Sequence, residues 1–399
     1  GNIDYVGGWY AKAAEYLGDH DIRAAFVSTN SICQGEQVAN VWSPLWDMGI
    51  RIDFAHDTFK WTNGAADQAA VFCVIVGFSK LGGPKTLFHY PTVTGEPEIS
   101  HPTQLNAYLK DAPEVFVWNR SKPLCKVPLM SIGNKPVDDG NYLFTPEEKA
   151  KFLDAEPKAK QFFHRWYGSR EFIRGTERWV MWLGATKAAE LQDMPKVIER
   201  VNAVRKFREN SKSAPTRKVA ETPTRFHVQC IPEGSSLLIP QVSSERRRYI
   251  PIGYLEPETL ASDKVRLIPE ATKYHFGVLH SRLHNAWMRV VGVRLKSDYS
   301  YSAGVVYNNF IWPDVTPEQE AEIAQLGQAV LEARAQYPDS TIAQMYDPDN
   351  DWMYPELTKA HAALDAAVER AYGLEPGCEE KTIVEHLFEL YSQAIEKAS

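Results

Sequence analysis

The sequence predicts an α/β plus α+β protein, and three observations predict it. At 399 residues the chain is long enough for two or three domains with real apolar cores. Helical and strand-like periodicities alternate up to about Lys80, as in half of an α/β sheet domain. Beyond that lies a mixed, irregular middle, and then a tail with helical spacing alone.

Each element follows from its residues. "DYVGGWYAKAAEYL" places Val6, Trp9, Tyr10, Ala13, Tyr16 and Leu17 at helical spacing, and Gly18 supplies a stop. "IRAAFVSTNSI" reads as a buried strand, and "IRIDFAH" as another. Between them "GEQVANVWSPLWDMG" reads as a helix interrupted by Pro44, which lacks an N–H and crowds the preceding turn. "AAVFCVIVGFS" is apolar throughout, as expected of a strand buried on both faces.

In the middle, "TPEEKAKFL" opens a helix with Thr145 as N-cap, Pro146 first and Glu148 completing a capping box. "MPKVIERVNAVRKFREN" sets Val197, Val201, Val204 and Phe207 in one stripe, with Arg200, Arg205, Lys206 and Arg208 outside it. "SSLLIPQVS", "RRYIPIGYL" and "WMRVVGVRL" read as strands. The tail begins with "TPEQEAEIAQLGQAVLEARAQY", striped by Ile323, Leu326, Val330 and Leu331; "LTKAHAALDAAVERAYG" and "TIVEHLFELYSQAIEKA" add two further helices.

Net charge is −7, but it is unevenly spread. Residues 1–110 hold 7 Lys+Arg against 11 Asp+Glu, residues 111–310 hold 32 against 22, and residues 311–399 hold 5 against 18. A middle of about +10 between acidic ends is the footprint of a polyanion partner, or else a solvated basic surface. No apolar stretch approaches the roughly 18 residues that span a bilayer, and no signal-like start is present; a cytoplasmic location without membrane partners is expected. Five scattered cysteines, Cys33, Cys73, Cys125, Cys230 and Cys378, show neither disulfide nor metal-ligand spacing and are expected as buried thiols.

The common phosphate, zinc, hydrolase and dinucleotide motifs do not occur. Lone histidines such as His227 and His361 read as satisfied structural residues. "DPDND" lacks the glycine and distal glutamate of a calcium loop and reads as a loop; "WVMWL" reads as core.

Several longer stretches carry more information. "AAFVSTNSICQGEQV", "HDTFKW", "RSKPL", "SSERRRYIPIG", "YHFGVLHSRLHNAWMRVVGVRLKSDYSYS" and "VYNNFIWP" occur in the same order as in the C-terminal two-thirds of MmeI-like (Type IIL) restriction-modification methyltransferases, which the chain resembles over nearly its whole length. The resemblance implies a partial Rossmann-like sheet from a γ-type adenine N6 methyltransferase domain over 1–110. It further implies a mixed α/β DNA target recognition domain over 111–312, and a C-terminal helical domain over 313–399. It also implies action on double-stranded DNA with S-adenosylmethionine as donor.

In that family a glycine-rich donor motif and an Asn-Pro-Pro-aromatic catalytic motif precede the first helix read here, and neither is in this sequence. The chain is therefore expected to be a truncated form or fragment of a longer enzyme, with Gly1 a cloning remnant. It is expected to recognise DNA without catalysis and without binding the donor itself, while methyltransferase and nuclease regions belong upstream. The alternative is a DNA-specificity or protein-interaction subunit that docks on a separate catalytic chain.

The resemblance assigns "HDTFKW" to base flipping: Phe59 stacks on the extruded adenine, with Trp61 as second choice, the alternative being that Phe59 is core. In "GVRLKSDYSYS", Arg294, Lys296 and Asp298 alternate, so an extended segment would present all three on one face. Lysine or arginine suits guanine and a carboxylate can accept from the cytosine amino group, so Lys296 and Asp298 could read one G·C pair. The resemblance points to the same segment; Ser300 and Arg294 are further candidates, and an ion pair on an exposed strand is the alternative. Arg120, Lys122, Arg217, Lys218, Arg246, Arg247 and Arg248 are candidate phosphate contacts, being dense and beside turn-forming residues.

Overall fold

In a computed structural model describing residues 3–61, 71–256 and 258–398, the chain divides into two compact units. One comprises Gly1–Val127, Ser281–Ile323 and Ala362–Ser399; the other comprises Pro128–His280 and Ala324–His361. Gly1, and Ala69 and Ala70 at the start of the "AAVFCVIVGFS" run, lie outside the described residues.

In the first unit, α1 (Gly7–Leu17) ends at Gly18, whose φ of 48° is a conformation that favours glycine. Its buried face is Tyr10, Ala14 and Leu17, whereas Trp9 and Tyr16 are 54% and 80% exposed. The expected stripe is corrected accordingly: the smaller Ala14, not Trp9, fits against the neighbouring elements. Helix α2 (Gly35–Asp47) runs straight through Pro44 rather than breaking there, and Val38, Val41, Trp42 and Leu45 bury its apolar face. That burial outweighs one missing backbone hydrogen bond.

Five strands form the sheet: β1 (Ala24–Thr29), β2 (Arg51–Trp61), β3 (Val71–Ser79), β4 (Thr86–His89) and β5 (Glu98–Ser100), in the order β1-β3-β2-β4-β5. Only β2 and β4 pair in parallel; the other neighbours are antiparallel. The apolar β3 lies between β1 and β2, in agreement with its composition. Strand β1 is an outer strand with alternating burial, not the fully buried one expected. Gly77 on β3 is required by packing, since a Cβ there would sit 2.0 Å from the Phe54 ring. Tyr10 centres the aromatic core, its ring 5.2 Å from Phe26 and 5.3 Å from both Trp42 and Phe78.

Later residues of this unit depart from the sequence reading. "WMRVV" is not a strand but the end of helix Arg282–Val291, started by Ser281, whose Oγ accepts from the His284 N–H at 3.5 Å. The helix Glu380–Ala398 packs on it, Trp287 lying 5.5 Å from Phe388 and 5.8 Å from Tyr391. A strand does follow, Val293–Leu295, which turns back at once into Asp298–Ser300.

The second unit holds two four-stranded sheets, ordered Gly253–Leu255, Ser236–Pro240, Val265–Pro269, Ser131–Ile132 and Leu260–Ala261, Phe163–Tyr167, Trp179–Met181, Leu143–Phe144. Val180 and Met181 of "WVMWL" lie in its core. Only Gly253–Leu255 of "RRYIPIGYL" is strand. The helix Pro146–Ala155 has the expected capping box, Thr145 Oγ1 accepting from Glu148 N and Glu148 Oε2 from Thr145 N.

The helix Pro195–Glu209 buries Val197, Val201 and Val204, while Phe207 is partly exposed and Arg208 is fully buried. Arg208 belongs inside because its guanidinium donates to the carbonyls of Pro136, Val137, Val219, Thr222 and Arg225 at 2.8–3.1 Å. A second buried knot joins His280, Arg334, Tyr346 and His361, with the Tyr346 hydroxyl 2.8 Å from Arg334 Nε and from His361 Nε2. His361 is thus a core residue held through Nε2, its buried Nδ1 making no hydrogen bond among the described residues. Among the cysteines, Cys33 and Cys73 are buried but Cys125, Cys230 and Cys378 only partly so, and all five are free. "DPDND" lies largely in a short 3-10 turn, Pro348–Met353. Among the described residues no helix is long and apolar enough to cross a membrane, and no cluster has the makings of a metal site.

Candidate nucleic-acid interface

The proposed base-stacking residue lies near the end of β2, where the pairing with β3 slips between His56 and Phe59. A slip of this kind re-aims the side chains beyond it. Phe59 is half-buried, Trp61 is exposed, and the two rings are 6.4 Å apart. Around Phe59 gathers a cluster that sequence reasoning missed. The Tyr90 ring lies 5.3 Å from it, the Tyr90 hydroxyl meets His56 Nδ1 at 2.9 Å, and His56 stacks on Phe88 at 4.1 Å. Asp57 accepts from the Tyr90 N–H at 3.0 Å and pairs with His89 Nδ1 at 2.5 Å. Burial holds the His56 imidazole below its ordinary pKa, the Asp57 charge opposing. "FHY" carries no local sign of this role; only the parallel pairing of β2 with β4 brings it beside "HDTFKW".

The segment "GVRLKSDYSYS" is a β-hairpin rather than one extended run. Leu295 faces Asp298, Arg294 faces Tyr299 and Val293 faces Ser300, so Lys296 and Ser297 form the two-residue turn. Lys296 has a φ of 60°, uncommon for a residue with a side chain. The expectation that Arg294, Lys296 and Asp298 share one face is therefore wrong: a turn intervenes, and Arg294 points to the opposite face from Asp298. There its guanidinium lies 4.4 Å from the centre of the Tyr299 ring and donates to the Ser297 carbonyl at 3.1 Å. Lys296 is exposed at the tip, Asp298 and Ser300 are half-buried, and among the described residues neither Lys296 nor Asp298 enters an ion pair.

The basic candidates divide by what already holds them. Arg120 is half-buried, its Nε donating to Asn309 Oδ1 at 2.9 Å, while Asn308 and Asn309 donate to the carbonyls of Arg120 and Trp118. "VYNNF" is thus a latch on the "RSKPL" segment, and Lys122 extends from that segment exposed. In the second unit, Arg217 is exposed and closes its own loop by donating to the Ser211 and Lys212 carbonyls; Lys218 beside it is exposed. Arg246 pairs with Asp349 at 2.6 Å and Asp347 at 3.4 Å, which raises its pKa further. Arg247 is half-buried near Ser243, and Arg248 is exposed with its guanidinium 5.4 Å from the Tyr249 ring centre.

Comparison with known proteins gives this geometry a context. Three family profiles match in succession: the DNA-methyltransferase domain of MmeI over residues 1–89, its target recognition domain over 111–314 and its C-terminal domain over 315–398. The second alone spans more than half of the chain. The chain belongs to the MmeI family. It is 36% identical over 395 residues to DNA methyltransferase A of Bacillus subtilis (strain 168), covering 99% of this chain and 44% of that protein. Its fold matches a solved structure of the Type IIL restriction-modification enzyme MmeI in complex with DNA, with a TM-score of 0.92 and 43% identity, over 99% of this chain and 54% of that one. The chain thus spans about half the length of the MmeI relatives it matches. Phe59 and Trp61 fall in the methyltransferase match; the hairpin and all seven basic candidates fall in the target recognition match.

Proposed function

We propose that this chain is the sequence-reading portion of an S-adenosylmethionine-dependent DNA adenine N6 methyltransferase of the Type IIL kind, acting on double-stranded DNA in the cytoplasm. Residues 1–110 would be the end of the methyltransferase domain, 111–312 the target recognition domain and 313–399 a helical domain. The observation that carries the reading is the hairpin, which offers Lys296 at an exposed tip and Asp298 beside it, with neither charge neutralised by the other. A donor and an acceptor so placed suit the edges of a G·C pair in the major groove, with Ser300 on the same face as a further reader. Arg294, held over Tyr299, braces the hairpin instead.

Phosphate contacts supply affinity with little specificity. Lys122 and Lys218, both exposed, suit that role best, with Arg247 and Arg248 as further candidates; Arg120, Arg217 and Arg246 are already engaged in holding their own segments together. Phe59, backed by Tyr90 and His56, is the surface offered to a flipped adenine, and Trp61 is its exposed neighbour.

The donor finds no such fit. Among the described residues no strand of the first sheet runs through a glycine-rich turn into a helix, the arrangement a nucleotide-like group uses. No step of methyl transfer is therefore derived from these residues, and the chain alone is proposed to be non-catalytic. With labelled S-adenosylmethionine and duplex DNA, the chain should retard the duplex in a gel and transfer no label. Transfer by the chain alone, or no binding to duplex, would contradict the reading.

A further inference from the structure

We propose that Leu295 contacts the 5-methyl group of a thymine in the major groove and so fixes one position of the recognised sequence, beside the pair read by Lys296 and Asp298. This rests on the DNA-reading role proposed above and goes beyond it in assigning an apolar reader.

The hairpin register carries the argument. Directly opposed residues of an antiparallel pair share a face, so Val293, Leu295, Asp298 and Ser300 lie on one side, and Arg294 and Tyr299 on the other. The second side is closed, with Tyr299 buried under the Arg294 guanidinium. The first side is open at its tip: Leu295 is 61% exposed. Val293 is 43% exposed but serves as an anchor, because Gly35 at the start of α2 approaches so closely that a Cβ there would lie 2.1 Å from Val293 Cγ2. Leu295, one strand position nearer the turn on that face, is held out past this contact.

Spacing and chemistry then select the ligand atom. Opposed Cβ atoms lie about 4.5–5.5 Å apart, and successive bases of a duplex strand are about 3.4 Å apart along the axis. Leu295 and Asp298 therefore reach the same or adjacent base pairs. The only methyl group, and the largest apolar group, displayed on the major-groove edges of the four bases is that of thymine. The excess of ten positive charges over residues 111–310 suits the polyanion that would bring it there.

The test begins with the full 399-residue chain selecting its preferred duplex from a random pool. Each thymine of that site is then replaced by uracil, which removes the methyl group and nothing else. The expected result is one position where uracil weakens binding about fourfold, the effect of one buried methyl group. Leu295→Ala should bind thymine and uracil equally at that position and leave the others unchanged, while Leu295→Met should keep the preference. A site without thymine, or methyl sensitivity that persists in Leu295→Ala, overturns the role of Leu295 while leaving DNA reading intact. Failure of the chain to select any sequence overturns the DNA-reading role itself.

Discussion

Phe59 is half-buried among Tyr90, His56 and Trp61, so one part of its ring is packed and another is open. A base leaving the duplex loses its stacking, and an aromatic face restores about 1–3 kcal/mol of it. In a full-length methyltransferase of the proposed kind that carries this segment, Phe59→Ala should therefore lower methylation by roughly 10- to 100-fold on that scale while duplex binding is retained. Parallel measurements of turnover and gel retardation check this; unchanged turnover removes the assignment. Other residues resisted sequence reading for a physical reason. The helical spacing that set Arg208 outside the apolar stripe gave no hint of its burial, because its five acceptors are carbonyls at Pro136, Val137, Val219, Thr222 and Arg225, and a carbonyl leaves no trace in residue type. Similarly, Arg294 could not be separated from Asp298 until the turn at Lys296 and Ser297 was known.

Elements with local signals were legible and those decided by distant packing were not. The capping box at Thr145 and the glycine stop at Gly18 require only neighbours, and both are present. "WMRVVGVRL", by contrast, has the β-branched content of a strand, yet Ser281 starts a helix that continues through Val291 because nearly every face of it is buried. His284 on that helix provides a test. It is fully buried with Nε2 2.8 Å from the Tyr301 hydroxyl, and burial pushes its pKa down to about 3. Burial, with the Arg334 charge adding to it, also holds His280 and His361 well below the ordinary value. Below about pH 6.5 the unfolded chain binds protons that these buried imidazoles refuse, so stability is full above that value and falls as pH falls. Each such histidine contributes a slope of about 1.4 kcal/mol per pH unit at most. Denaturant titrations between pH 7 and pH 5 should show this fall, and His284→Gln should make it shallower; an unaltered slope would show that His284 titrates normally in the fold.

For the whole molecule, the uneven charge matters more than its sum. The basic stretch 111–310 supplies the cations and the acidic ends offset them, which is why a net charge of −7 is compatible with the polyanion partner proposed above. Binding of duplex DNA should therefore weaken steeply with salt. Lys122→Ala and Lys218→Ala should each weaken it on all sequences alike and reduce the log–log salt slope by about 1. A slope insensitive to both would remove these lysines from the interface. The mixed α/β fold class of the chain was evident from composition and periodicity, but the hairpin that closes "GVRLKSDYSYS" was not, since Lys296–Ser297 carries none of the glycine-containing pairs that mark a two-residue hairpin turn. The central claim is that this hairpin reads bases, and exchanging its charges tests it most directly. Selection from a random duplex pool by the chain and by its Lys296→Asp, Asp298→Lys double variant should yield two sites that differ in the base accepted at one position and agree elsewhere. The same site from both proteins would contradict the claim.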